Sequence, residues 1–483
     1  MTGRSTSSIA SLALPIVAVL AMSMGGAFLV LRTGPGVSLA VTLFFALLLA
    51  CFLNTELGLH IILLSMLLSP EIVVGGIGGI SIGKPDVKGD LLVLRIEDLI
   101  LTAVTLAWIA RVAIFKELGL VRKTPLNIPI LLYAASLILA TLLGVFLGNV
   151  RPIRGFFFCL KYIEYFVVFF ITVNYVHEER QLRRLLATAF VTCAISSIMG
   201  IVQIPSGERV AAPFEGKLGE PNTFGGYLVL MLALVLGLAL SAKPFPLQAG
   251  WYAFAGLIAI PLLYTLSRTS WLAAIPMILT LALLSPRRLI LITGLGVALI
   301  LGSALFPRQV VERFNYTFYS KADRGDYAIG GARFDTSTSA RLDSWKQGFV
   351  DWTKRPFLGY GVTGFAFMDA QFTRILVESG LVGLAAFLWL LRRVLQVARG
   401  TYRRLLGTRY EGLVLGYLAG LVAMIIHGFG ANTFIIVRIM EPFWFLTGLI
   451  VTLPVVVAHE PDKAVQTPSA PIPQLAPLGA HRA

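Results

Sequence analysis

The chain has 483 residues, 57% of them hydrophobic and only 13% charged, with a formal net charge of +15 and a mean hydropathy of +0.82. Soluble domains carry about 25% charged residues, so composition alone excludes a soluble enzyme. The positive charge sits between apolar runs rather than on one basic face, which excludes a nucleic-acid-binding protein.

Repeated apolar runs near the roughly 20 residues that cross a bilayer predict an all-α polytopic membrane protein of about 12–14 transmembrane helices. In chain order the spans fall near 9–30, 38–53, 56–69, 98–115, 129–149, 156–175, 185–204, 223–242, 251–266, 270–285, 289–306, 373–392, 412–428 and 438–458. The first is too long for a signal-peptide core and lacks a small-residue cleavage site, so it counts as a span. The expected organisation is a transmembrane bundle over 1–306, a large polar loop over 307–372, further transmembrane helices over 373–459, and a Pro/Ala-rich tail over 460–483 that reads as disordered. Cys51, Cys159 and Cys193 lie in apolar runs with no metal-ligand or disulfide spacing.

Lys116, Arg122 and Lys123, then Arg180, Arg183 and Arg184, then Arg287 and Arg288, then Arg392 through Arg409 all fall on one side of this span list. The positive-inside rule makes that side the cytoplasm, with both termini on it. The loops 70–97 and 205–222 and the polar loop 307–372 then face outward. The last of these is itself rich in Lys and Arg. Long loops translocate regardless of charge, so positive charge kept on the outer side calls for a functional reason.

An excursion of about 65 residues is too long for a connector and long enough to build a site. It contains RFDTSTSARLDSWKQGFVDWTKRPFLGYG (Arg333 to Gly361). Arg341 and Trp345 are four apart and share a helix face. Pro356, Gly359 and Gly361 supply a tight turn back to the membrane, where Asp369, Arg374 and Glu378 stand at the re-entry point. Arg268, in YTLSRTSWLAA between two apolar runs, reads either as a snorkelling turn residue or as an anion ligand. Lys161 and Glu164, three apart in FFFCLKYIEYFVVFF, read as a self-neutralising pair that fixes helix packing. Arg154, just before them, extends a basic outer rim. His427, in MIIHGFGAN, reads as packing or as a base.

The run from Arg341 to Leu384, R-L-D-S-W, R-P-F-L-G-Y-G and D-A-Q-F-T-R-I-L-V-E-S-G-L-V-G-L, resembles the signature region of the O-antigen ligase and polymerase superfamily. The SRT of Ser267–Thr269 and the GEPNTFGGYL of Gly219–Leu228 agree with it. These are bacterial inner-membrane glycosyltransferases of the helical GT-C type. The resemblance implies a GT-C-like bundle in the inner membrane that transfers a glycan from an undecaprenyl diphosphate carrier to an acceptor hydroxyl at the periplasmic face. Polymerases use a second carrier-linked glycan as acceptor, in O-antigen or exopolysaccharide polymerisation, and ligases use lipid A–core. The partners implied are the carrier-linked donor, a glycan or lipid-linked acceptor, membrane lipids and, for a polymerase, a chain-length regulator; no cofactor or metal is implied. The family's diphosphate-binding Arg positions fall on Arg268 and Arg341, with Arg374 beside them, and its base position, a His in ligases, falls on Asp369. That departure favours a polymerase. Asp369 and the alternative His427 are the catalytic candidates, with Arg154, Lys161, Glu164, Trp345 and Glu378 in support.

Arg suits such a reaction because it grips a diphosphate bidentately and keeps its proton at neutral pH. A carboxylate can take the acceptor's proton as it attacks. The rival reading is a lipid-linked sugar flippase, which should show internal repeats. A non-catalytic scaffold would have no use for intramembrane charge.

Overall fold

The computed structural model describes residues 35–69, 96–115, 122–214, 219–285, 287–300, 307–319, 324–329, 332–366 and 368–458. The expected span 9–30 and the tail 460–483 lie outside the described residues, as does most of the loop 70–97. The helices are α1 (Pro35–Leu53), α2 (Thr55–Leu68), α3 (Ile96–Phe115), α4 (Asn127–Phe146), α5 (Pro152–Tyr175), α6 (Glu179–Gln203), α7 (Pro221–Ser241), α8 (Phe245–Tyr264), α9 (Arg268–Leu284), α10 (Arg288–Ile300), α11 (Arg308–Tyr319), α12 (Thr336–Trp352), α13 (Gln371–Arg404), α14 (Glu411–His427) and α15 (Val437–Ala458).

Every expected span from 38–53 onward coincides with a helix, residues 301–306 of the span 289–306 lying outside the described residues. Seven of the described helices are long and apolar enough to cross a membrane, and shorter apolar helices accompany them. The largest boundary difference is α13. Its apolar part ends where expected, but the helix runs on to Arg404 because Leu, Val, Gln and Arg keep helical propensity after the hydropathy has fallen. Apolar periodicity reports the bilayer and not the end of the hydrogen-bond ladder.

The polar loop is less purely helical than its composition predicts. Between α11 and α12 runs an antiparallel hairpin, β1 (Arg324–Ile329) with β2 (Ala332–Asp335), Ile329 opposite Ala332. The fold remains an all-α polytopic membrane protein with this two-stranded insert.

α7 and α15 form the centre, with 89% and 83% of their apolar windows buried, whereas α8 is only 22% buried and turns most of its surface outward. Apolarity alone does not separate the two kinds of helix, because lipid and protein accept the same side chains. The basic helix ends collect at one end. There the N–H of Arg122 donates to Asn174 at 3.0 Å, Arg184 and Tyr175 both reach Glu56, Arg183 and Arg409 share Glu179, and the Tyr402 hydroxyl donates to the carbonyl of Leu284 at 3.1 Å. The polar loop packs on the opposite end.

Candidate functional site

The polar loop is joined to the bundle through a break in α13. Gly380 has φ 66° and ψ −165°, a conformation essentially confined to glycine, and a Cβ there would lie 2.2 Å from the carbonyl oxygen of Phe357. The break frees carbonyls that the turn Arg355–Gly361 takes up. Tyr360 donates to Val377 at 3.0 Å and Gly361 to Glu378 at 2.8 Å, while Leu381 donates back to Pro356 at 2.8 Å. The two motifs G-Y-G and E-S-G are thus halves of one interlock.

Glu378 fastens it further. Its carboxylate accepts from the N–H of Thr363 at 3.3 Å and pairs with Arg374 at 3.1 Å. Thr363 is β-branched and held at φ 65°, which is strained and needs such a tether. Arg374 is 8% exposed, and its guanidinium lies 5.9 Å from the ring of Tyr162. The structure therefore puts Arg374 inside the bundle wall with Glu378.

Four arginines converge at this end. Arg268 is the first residue of α9, whose N-cap Ser267 accepts from the N–H of Ser270. The helix N-terminus adds its own positive potential there. Arg209, from the connection between α6 and α7, donates from Nε to the carbonyl of Thr265 at 3.0 Å and from Nη2 to that of Leu266 at 3.3 Å. Leu266 has φ 50°, a costly conformation for a non-glycine residue at the turn just ahead of Arg268. Burial, then the positive charges of Arg313, Arg268 and Arg341, pull Arg209 down to about 10. Arg313 comes from α11 and Arg341 from α12. Nη2 of Arg341 lies 3.3 Å from Oδ2 of Asp369, and that carboxylate side chain is 41% exposed. Charge-assisted bonds of this kind usually run to about 2.7–2.9 Å, so the pair is loose.

Sequence reasoning selected Arg268, Arg341 and Asp369, which meet here, and missed Arg209 and Arg313. Nothing in the spacing pointed to Arg313.

His427 sits in the wall beside the first turn of α9, 0% exposed. Nε2 is 3.1 Å from Oγ of Ser270, and Nδ1 is 2.7 Å from Oγ1 of Thr433. Ser270 donates to Ser267 at 2.9 Å and Ser267 to Asn222 at 2.8 Å. With those hydroxyl protons spent, Nε2 must donate to Ser270 and Nδ1 must accept from Thr433. Both ring nitrogens are engaged. Gly225 and Gly226 allow this crossing, since a Cβ on either would lie 2.3 Å from Oγ of Ser270 or 3.0 Å from Cε1 of His427.

The supporting residues divide. Trp345 and Phe349 of α12 form, with Phe372, Leu376, Leu384 and Phe429, the wall of an apolar cavity of about 210 Å³ that begins one helical turn from Arg341. Arg154 lies 5.8 Å from the ring of Phe158 at the start of α5. Lys161 bridges to Asp98 of α3 at 3.0 Å, so its charge ties two helices together rather than serving only its neighbour Glu164.

Residues 252–388 match the model of the O-antigen ligase family. That segment is similar to the O-antigen ligases. The match covers under a third of the chain and includes Arg268, Arg313, Arg341, Asp369, Arg374 and Glu378, but neither Arg209 nor His427. No curated protein matches the chain. The O-antigen ligase domain thus spans the SRT turn, the polar loop and the interlock around Gly380, which supports a ligase- or polymerase-type function in a multi-pass membrane protein.

Proposed function

We propose that the chain is a glycan polymerase acting at the outer face of the bacterial inner membrane, on an undecaprenyl-diphosphate-linked donor. The observation that carries this reading is the convergence of Arg209, Arg268, Arg313 and Arg341 beside Asp369, at the end of the bundle away from the basic helix termini. Mutually repelling cations gathered on one spot are stabilised by an anion that bridges them. A lipid diphosphate fits in charge and in the reach of a bidentate fork.

The acceptor hydroxyl oxygen attacks the anomeric carbon of the donor. The bond from that carbon to the diphosphate oxygen breaks, and the leaving lipid diphosphate keeps the electron pair. Its growing negative charge is stabilised by the arginines, arranged before the reaction begins. The acceptor's proton passes to Asp369. The loose contact between Arg341 and Asp369 makes a switch: diphosphate competes for Arg341, and the carboxylate it leaves behind is free to act as base. The cavity beside Trp345 would take the isoprenoid stretch next to the diphosphate. In this reading Arg374, Glu378 and His427 position the wall, and Lys161, Glu164 and Arg154 support it.

The ligase reading remains as the alternative, differing only in acceptor. Asp369 in place of a ligase's His favours polymerisation. The deciding experiment is Asp369→Asn in a cell whose polymer depends on this chain, with glycans resolved on a gel. A polymerase defect leaves single repeat units on the carrier. A ligase defect leaves long polymer on the carrier, and that pattern would overturn the proposal. Arg268→Ala and Arg341→Ala should each abolish product with the protein still present in the membrane. Arg→Lys should rescue poorly, because a point charge does not reproduce the fork.

A further inference from the structure

The turn Arg355–Gly361 does not stop at the end of the bundle. Val362, the residue after it, donates its N–H to Oγ1 of Thr141 at 3.1 Å. Further along, a Cβ on Gly383 would lie 3.6 Å from Oγ of Ser136. Between those two levels the carbonyls of Pro356 and Phe357 accept from Leu381 and Val382, at 2.8 and 3.2 Å. Thr141 and Ser136 both belong to α4, one of the helices long and apolar enough to cross a membrane. The 20 residues of α4 measure about 30 Å, the thickness of the hydrocarbon layer. Lys123 and Arg151 bracket it in the sequence. Thr141 and Ser136 stand five and ten residues before Phe146, the last residue of α4. The turn therefore reaches about 8–15 Å into that layer.

At this depth Phe357 is 69% exposed. Leu381 and Val382, to which its backbone and that of Pro356 are bonded, are exposed as well, on a second helix that crosses the membrane. The ring of Phe357 thus continues the lipid face of α13, where an exposed apolar group meets acyl chains and not water. Irregular backbone survives at such depth only with its polar groups served by protein. Here α13 takes the two carbonyls, and Pro356 has no N–H to satisfy. The flanking residues are of a different kind. Lys354 pairs with Asp351 at 2.6 Å, the guanidinium of Arg355 lies 4.8 Å from the ring of Tyr360, and the indole N–H of Trp352 donates to the carbonyl of Pro356 at 3.1 Å. Cations and amphipathic aromatics beside an apolar tip are what a membrane–water interface selects.

We propose that this turn is a lipid anchor, with Phe357 inserted among the acyl chains of the phospholipid leaflet on the polar-loop side. Exposed Phe349 and Val350, in the last turns of α12, extend the contact. The anchor holds α12, and with it Arg341 and Trp345, at a fixed height over that leaflet. It rests on the spans of α4 and α13, and stands whether or not the glycan reading does.

The test is spin labelling of the full-length protein in phospholipid nanodiscs, in a background whose three buried native cysteines are replaced by Ala. A nitroxide on Phe357→Cys should collide with oxygen in preference to a water-soluble nickel chelate, as should one on lipid-facing Leu142→Cys. A nitroxide on Lys346→Cys, exposed on α12, should show the reverse preference. Should the labelled chain fail to accumulate, Phe357→Trp replaces it, and phospholipid brominated on its acyl chains should quench that variant beyond the wild type. Preference for the nickel chelate at 357 would overturn the proposal. Protection from both reagents would overturn it too, since protein would then cover the ring, as would the absence of added quenching in Phe357→Trp.

Discussion

Nε2 of His427 and Oγ of Ser270 stand 3.1 Å apart, at the meeting of the last turn of α14 with the first of α9. The contact is one link in a hydrogen-bonded chain from Asn222 through Ser267 and Ser270 to Thr433, and it leaves the imidazole no free lone pair. His427→Ala should then act on stability, since leaving buried Ser270 and Thr433 unpaired costs about 1–3 kcal/mol. Protein level and unfolding temperature should fall while turnover per folded molecule stays near wild type. Normal protein level with abolished turnover would make His427 the base after all.

Arg209 gives a pH signature. A base pulled down to about 10 by burial and by neighbouring cations loses its proton in the folded state first, where the unfolded chain still holds it. Without an anion, folding stability therefore rises as pH climbs through about 10. Bound pyrophosphate favours charged Arg209 and should reverse the trend. Thermal unfolding of purified protein across that range, with and without pyrophosphate, checks both signs against Arg209→Gln. Equal slopes in wild type and variant would remove Arg209 from the cluster's electrostatics.

Gly380→Ala tests the interlock. Its backbone conformation alone costs an L-residue about 1–3 kcal/mol, and the new Cβ would meet Phe357 at 2.2 Å. The variant should be poorly retained in the membrane. Wild-type levels and activity would mean that the turn Arg355–Gly361 is not held by α13.

Orientation follows from the basic helix ends. A reporter fused after Asp335 should be active only outside the cytoplasm, and one fused after Arg404 only inside. The opposite pattern would sink an outer-face site.

The bundle was legible because hydropathy periodicity reports lipid exposure directly, and spans as short as 56–69 were placed within a few residues. The polar loop was legible only as a site. A hairpin of four to six residues a strand, at Arg324–Ile329 and Ala332–Asp335, leaves little pattern in Arg- and Asp-rich sequence. Arg268, Arg341 and Asp369 were readable because each is a charge where the chain meets the membrane. Arg209 and Arg313 become part of the site only once three separate connections are folded onto one point, and no local pattern encodes that. The partner of Lys161 was misjudged for the same reason, since a helix-face neighbour three residues away is visible in sequence and Asp98 on another helix is not.

The interlock at Gly380 also sets the unit of exchange. Because backbone groups of Pro356–Gly361 terminate one half of α13 and begin the other, residues 354–382 are a single structural cassette that crosses the boundary between loop and membrane. A chimaera cut at that boundary would separate N–H groups from the carbonyls they serve, in a place where no water replaces them. Domain swaps meant to transfer acceptor preference should carry both motifs together.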